Sequence, residues 1–355
     1  PGAKSYHLVA SGYGSAVNLS LGKANPYFVR FATSATTSVL ADAMAQKPSF
    51  YTLWIGNNDV LSYATSGGLG VDQKGNLDPS TYGSNDITDP NVVASVIKNV
   101  ILGLKSANAN SKGAIANIPY VTSIPYFTAV PYNPVPLSSA SASTLNTSFS
   151  AINAKLKSVG MAERFSTLTA STSNPVLIID KSLTDISAYL PAQYAIYGQA
   201  RHATANDLIL LPASSVIGID PTTGLPPTST STKINGVTIP LADQLVLTEK
   251  EAAKVIAATD AYNASISSLA TANGLALVDA NAKMKELGTT SGIQYNGVKY
   301  TASFITGGTF SLDGVHPNGR GYAIIANTFI KAINNTYFST LPFVDINAYS
   351  GVTFP

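Results

Sequence analysis

The chain has 355 residues, 45% of them hydrophobic and only 11% charged, against about a quarter charged in a typical soluble domain. A net charge of +2 with no Lys/Arg cluster excludes the basic footprint of a nucleic-acid binder. The absence of cysteine excludes disulfides, thiolate metal sites and a cysteine nucleophile.

The opening run PGAKSYHLVASGYGS (residues 1–15) has neither the charged start nor the apolar centre of a signal peptide. The chain is therefore expected to begin inside a longer precursor. TTSVLADAMAQKP (36–48) predicts an amphipathic helix ended before Pro48, and SFYTLWIG (49–56) a short buried strand. Asp89 as N-cap and Pro90 at the first helical position open a helix over residues 89–107. KGAIANIP (112–119) is the next strand. Thr248 and Glu251 form a capping box for a helix that closes at Gly274. LALVD (275–279) then reads as a strand and residues 318–337 as the last long helix. No segment reaches the ~18–20 apolar residues of a membrane-spanning helix.

Strands separated by helices predict an α/β fold with a mostly parallel sheet. KINGVTI (233–239) and IQYNGVKYT (293–301) each place Asn-Gly between β-type residues and predict small hairpins. GIDPTTGLPPTSTST (218–232) reads as an exposed loop, and residues 60–90 are rich in turn residues. No linker divides the chain, so a single domain over residues 1–355 is expected, with insertions at about 60–90 and 215–245.

Two short motifs carry chemistry. In WIGNNDV (54–60), Asn57, Asn58 and Asp59 follow a strand end, where ligands of open α/β sheets bind. They can form an Asx turn and helix cap, or an asparagine can donate to a developing oxyanion. In SLDGVHPNG (311–319), Asp313 precedes His316 by three residues, and Gly314 eases the turn that would bring carboxylate and imidazole together. Alone, that motif reads as a turn that opens a helix at Pro317, with His316 a bystander. His7 and His202 are read as structural histidines, the latter on a helix or loop surface. The tyrosines of residues 118–134 either line a substrate groove or pack against a neighbouring loop. No His/Asp/Glu cluster has metal-ligand spacing, so neither metal nor other cofactor is expected.

Taken together and in this order, GNND and SLDGVHPNGRGYAIIA resemble blocks III and V of the GDSL/SGNH hydrolases, and PGAKS is similar to block II of that family. The resemblance implies a three-layer, flavodoxin-like fold and a serine esterase, lipase or acetylesterase. It implies His316 as general base, Asp313 as its orienting partner, and an oxyanion hole from the Asn58 side chain and the Gly2 N–H. The family's Gly-Asp-Ser nucleophile block is not in the sequence, nor is a Gly-x-Ser-x-Gly elbow. The expectation is that the first strand and its serine lie upstream of residue 1 and that this chain alone is inactive. The upstream segment would then be a partner of the chain, beside an acylated carbohydrate or lipid ester as substrate. A secreted, cell-surface or outer-membrane-associated bacterial protein, of lipoprotein type, follows as an expectation. The alternative is a non-catalytic binding or assembly module on the same scaffold.

Overall fold

The computed structural model describes residues 2–228 and 230–352. Pro1 of the PGAKS run and Ser229 of the 218–232 loop lie outside the described residues. In chain order the regular elements are α1 (Pro26–Val29), α2 (Val39–Ala45), β1 (Phe50–Leu53), α3 (Asn58–Thr65), α4 (Pro90–Ala107), β2 (Lys112–Ala116), α5 (Pro125–Thr128), α6 (Ser139–Ser158), β3 (Leu177–Ile179), β4 (Ala200–His202), β5 (Leu208–Ile209), β6 (Val246–Leu247), α7 (Glu249–Asn273), β7 (Ala276–Val278), α8 (Ala280–Leu287), β8 (Ile293–Tyr295), β9 (Val298–Tyr300) and α9 (Gly319–Tyr337). They fall into two compact units. One takes residues up to 63, then 70–124 and those from 254 on; the other takes 64–69 and 125–253.

The first unit is α/β. Its sheet is parallel, in the order β1-β2-β7, with Leu53 opposite Ile115 and Ala116 opposite Val278. Every crossover contains a helix, as parallel strands require. The β2 strand is buried from Gly113 to Ala116, because it has a strand on each side. Alanines 114, 116 and 276 keep the surface of the sheet low, so that Ile333 and Phe329 of α9 pack closely onto it. On α4, Asp89 caps the first turn through Asn91 N and Val92 N, and seven apolar side chains from Val92 to Leu104 are buried. Each fully buried aliphatic of this kind contributes roughly 1.5–3 kcal/mol. The β1 strand lies at the end of the sheet, with Phe50 exposed and no strand beside its outer edge among the described residues.

The second unit packs Phe149, Ile152 and Leu156 of α6 against Leu177 and Ala200 of the antiparallel β3–β4 pair. Arg201 ties the pair down, donating to Asp180 at 2.7 Å and to both oxygens of Asp207 at 2.6 and 2.7 Å.

The helices and strands expected at 36–48, 49–56, 89–107, 112–119, 248–274, 275–279 and 318–337 all form. The hairpin at 293–301 forms as well, turning through Asn296 and Gly297, both at positive φ. The Asn235–Gly236 pair makes no strand hairpin. Its loop closes by Ile239 N to Ile234 O, while Thr238 Oγ1 accepts Ile234 N and donates to Thr232 O. A side chain there takes the backbone partners that a ladder would have used. The 221–228 stretch is exposed, as expected.

Candidate active site

The loop before α9 is built to hold one carboxylate. Phe310 and Pro317 pair across it, Ser311 N donates to His316 O at 2.8 Å, and Gly314 turns it at φ +70°. Oδ1 of Asp313 accepts Ser311 Oγ at 2.6 Å, Val315 N at 2.8 Å and His316 N at 2.9 Å, and Oδ2 lies 2.7 Å from His316 Nδ1. Partial burial pushes the Asp313 carboxyl up. The hydrogen bonds from Ser311, from His316 and from the two backbone N–H groups outweigh it and hold the group well below the usual carboxylate range. Asp313 is thus an anion that fixes the imidazole's orientation and places its proton on Nδ1. The helix opens two residues after Pro317, where Asn318 caps α9 through Arg320 N and Gly321 N.

The GNND segment sits at the carboxyl end of β1. Gly56 has φ +113°, and a Cβ there would meet Ile118 Cδ1 at 2.4 Å, so both the turn and the close approach depend on glycine. Asn58 donates through Nδ2 to Ala3 O at 2.9 Å. The next residue, Asp59, is fully buried and accepts Ser5 N and Ser5 Oγ, both at 2.8 Å. Burial raises the Asp59 pKa, opposed by the Ser5 hydrogen bonds and the Lys4 charge. Two consecutive residues of GNND therefore grip two residues of PGAKS more than fifty positions away. Lys4 completes the joint by donating to Asp86 O at 2.6 Å.

A cavity of about 260 Å³ opens at this edge of the sheet. Both Asn58 and His316 line it, with Asn57 beside them. Trp54, Pro119 and Ala280 bring in the three strand ends. Among the described residues no serine lines it. Gly2, exposed and at φ +74°, does not line the cavity; it reaches the site only through its neighbour Ala3. Of residues 118–134, Pro119, Val121 and Ile124 contribute walls and no tyrosine does. Tyr120 instead donates to Asp260.

His7 accepts Lys4 N through Nδ1 at 3.0 Å and stacks on Tyr13, a structural role, as expected. The expected surface position of His202 is corrected: it is a β4 residue, 5% exposed, with Nδ1 accepting Ser166 N at 3.0 Å and its ring edge-on to Phe149. Strand pairing with Leu177 places it in the core of the second unit. Sequence reasoning gave no role to Ser5 or Lys4 and only a capping role to Asp59. A polar pair at the start of the chain, facing a buried aspartate, has no fixed spacing by which to find it.

Among the described residues no group of three or more His, Cys, Asp or Glu side chains is placed to hold a metal, and no helix is long and apolar enough to cross a membrane. Comparison of the chain with protein-family models, curated proteins and solved structures returned no match.

Proposed function

We propose that this chain is the body of an SGNH-type serine esterase, on a flavodoxin-like scaffold, whose nucleophile is delivered by a segment outside these 355 residues. The observation that carries this is the convergence of the Asp313–His316 pair and Asn58 on one cavity that lacks a serine. With Nδ1 bound to Asp313, His316 Nε2 is the nitrogen that takes the serine proton as Oγ attacks the ester carbonyl; it then hands that proton to the leaving alcohol. Asn58 Nδ2 has two N–H donors. One holds Ala3 O, and the other serves the oxyanion together with the serine N–H. Water attacks the acyl-enzyme in the second half, with His316 again as base. The free edge of β1 offers the place where a strand carrying the serine would pair. Such an enzyme acts on acylated carbohydrate or lipid outside the cytoplasm.

The serine-free cavity equally favours a second reading, a binding or assembly module that kept the scaffold. A Gly-Asp-Ser in the residues preceding this segment selects the enzyme. The test uses the full-length protein and a short-chain aryl ester. His316→Ala should lower kcat by about 10³-fold or more, and equal rates in the two proteins sink the assignment.

A further inference from the structure

We propose that the cavity under His316 is an acyl-chain site, sized for an unbranched chain of about eight carbons. Its apolar lining includes Val121, Ile124, Met284, Leu287, Phe310 and Trp54. The first five are each below 10% exposed, so they face empty space and not solvent. A methylene fills about the volume of one liquid water, roughly 30 Å³, and the cavity measures about 260 Å³. An acetyl group would leave most of it vacant, and apolar vacancy of that size is unfavourable.

The polar groups do not suit a sugar. Thr309 Oγ1 donates to Thr301 O at 2.6 Å and Thr328 Oγ1 to Ile324 O at 2.8 Å. Lys283 is paired with Glu286. Asn57, Asn58, His316 and Tyr322 bring the remaining polar side chains, and the buried Trp54 Nε1–H has no hydrogen-bond partner among the described residues. A carbohydrate inside would bury hydroxyls with few partners, whereas an alkyl chain needs none. His316 has 66% of its side chain exposed, so the alcohol half of the ester meets solvent at the mouth. The acyl chain therefore carries the selectivity, whether the alcohol is aryl or glyceryl.

The reacting end of this proposal rests on the esterase reading; the chain-length selectivity does not. Trp54 lines the cavity and is the only tryptophan of the sequence, so its fluorescence reports occupancy directly on this 355-residue chain, with no nucleophile needed. Titration with straight-chain carboxylates from acetate to dodecanoate should show about fourfold tighter binding per methylene, levelling at about eight carbons. Ala280→Leu, on one wall, should move that break about three carbons shorter, and Thr328→Leu, on another, about one. Thermal melts identify any variant that fails to fold. Equal affinity for acetate and octanoate, no Trp54 response to octanoate, or a break that both folded variants leave in place overturns the proposal. In the complete protein, octanoyl esters of nitrophenol and of glycerol should both outpace their acetyl counterparts. Chain-length binding without hydrolysis keeps the site and discards the esterase; hydrolysis without chain-length dependence does the reverse.

Discussion

Replacing Asp313 by Asn isolates what the carboxylate does to His316. The substitution retains Oδ1, which accepts Ser311 Oγ, Val315 N and His316 N, so the turn keeps its shape. It changes Oδ2, 2.7 Å from His316 Nδ1, into an NH2 group. Nδ1 must then accept, and the ring proton moves to Nε2, the nitrogen that the mechanism needs bare. A hydrogen bond to a charged group contributes about 1.5–3 kcal/mol. The two side chains are 66% and 49% exposed, so solvent screening puts the value at the lower end, about a tenfold swing in tautomer ratio. Long-range nitrogen–proton correlation spectra of the neutral imidazoles measure it. The signature is unambiguous, because the sequence has three histidines and the other two, His7 and His202, use Nδ1 as acceptor. His316 should be the one Nδ1–H ring in the wild type and an Nε2–H ring in the variant. For the proposed esterase activity of the full-length protein, kcat should fall by about 10³–10⁴-fold. Retention of the Nδ1–H tautomer in a variant whose turn is intact would falsify the orienting role.

Acid should weaken the fold through two buried histidines. Burial pushes His202 down to about 4, and burial with the Lys4 charge does the same to His7. Both folded values lie below the unfolded value of ~6.5, so this stability is complete above pH 6.5 and is lost as pH falls towards 4, by about 3 kcal/mol for His202. Urea unfolding across that range should show it, and His202→Asn, which keeps an acceptor for Ser166 N, should flatten the slope; an unchanged slope refutes the assignment. Ser5→Ala removes a hydroxyl donor from the fully buried Asp59 and should destabilise the chain by about 1–3 kcal/mol. A urea midpoint that does not move would show that Asp59 is satisfied elsewhere.

What was legible in the sequence follows from how local each signal is. The capping at Asp89–Pro90, the Asn296–Gly297 turn and the Asp313–His316 spacing are set within a few residues, and each forms as read. The α6 helix went unread because Ser and Thr dominate it; its hydroxyls bond back to carbonyls one turn earlier, as Thr144 does to Ala140 O, and its apolar positions are sparse. His202 was misplaced because strand pairing, not its polar neighbours, decides its burial. The joint between Asn58–Asp59 and Ala3–Ser5 joins residues 54 and 55 positions apart. Nothing local announces such a contact; the family resemblance of the two motifs brought only Gly2 and Asn58 to one site.

The enzyme and module readings diverge at the outer edge of β1. Every serine close in sequence to the motifs already has a structural acceptor: Ser5 donates to Asp59, Ser62 to Asn58 O and Ser311 to Asp313. Recruiting Ser311 would strip the carboxylate of one of the donors that hold it as an anion. A nucleophile has to come within about 2.6–3.2 Å of the base, and it must approach from the cavity that His316 and Asn58 share. A further parallel strand on β1 would end level with Leu53, and the residue after it would emerge beside Trp54 and Asn58, at the carboxyl edge where α/β sheets hold their ligands. The same strand would supply partners to the backbone groups that β1 turns away from β2. One segment would thus complete both the sheet and the chemistry, so loss of the serine alone should leave a folded, ligand-binding module, whereas loss of the whole strand should cost stability as well as activity.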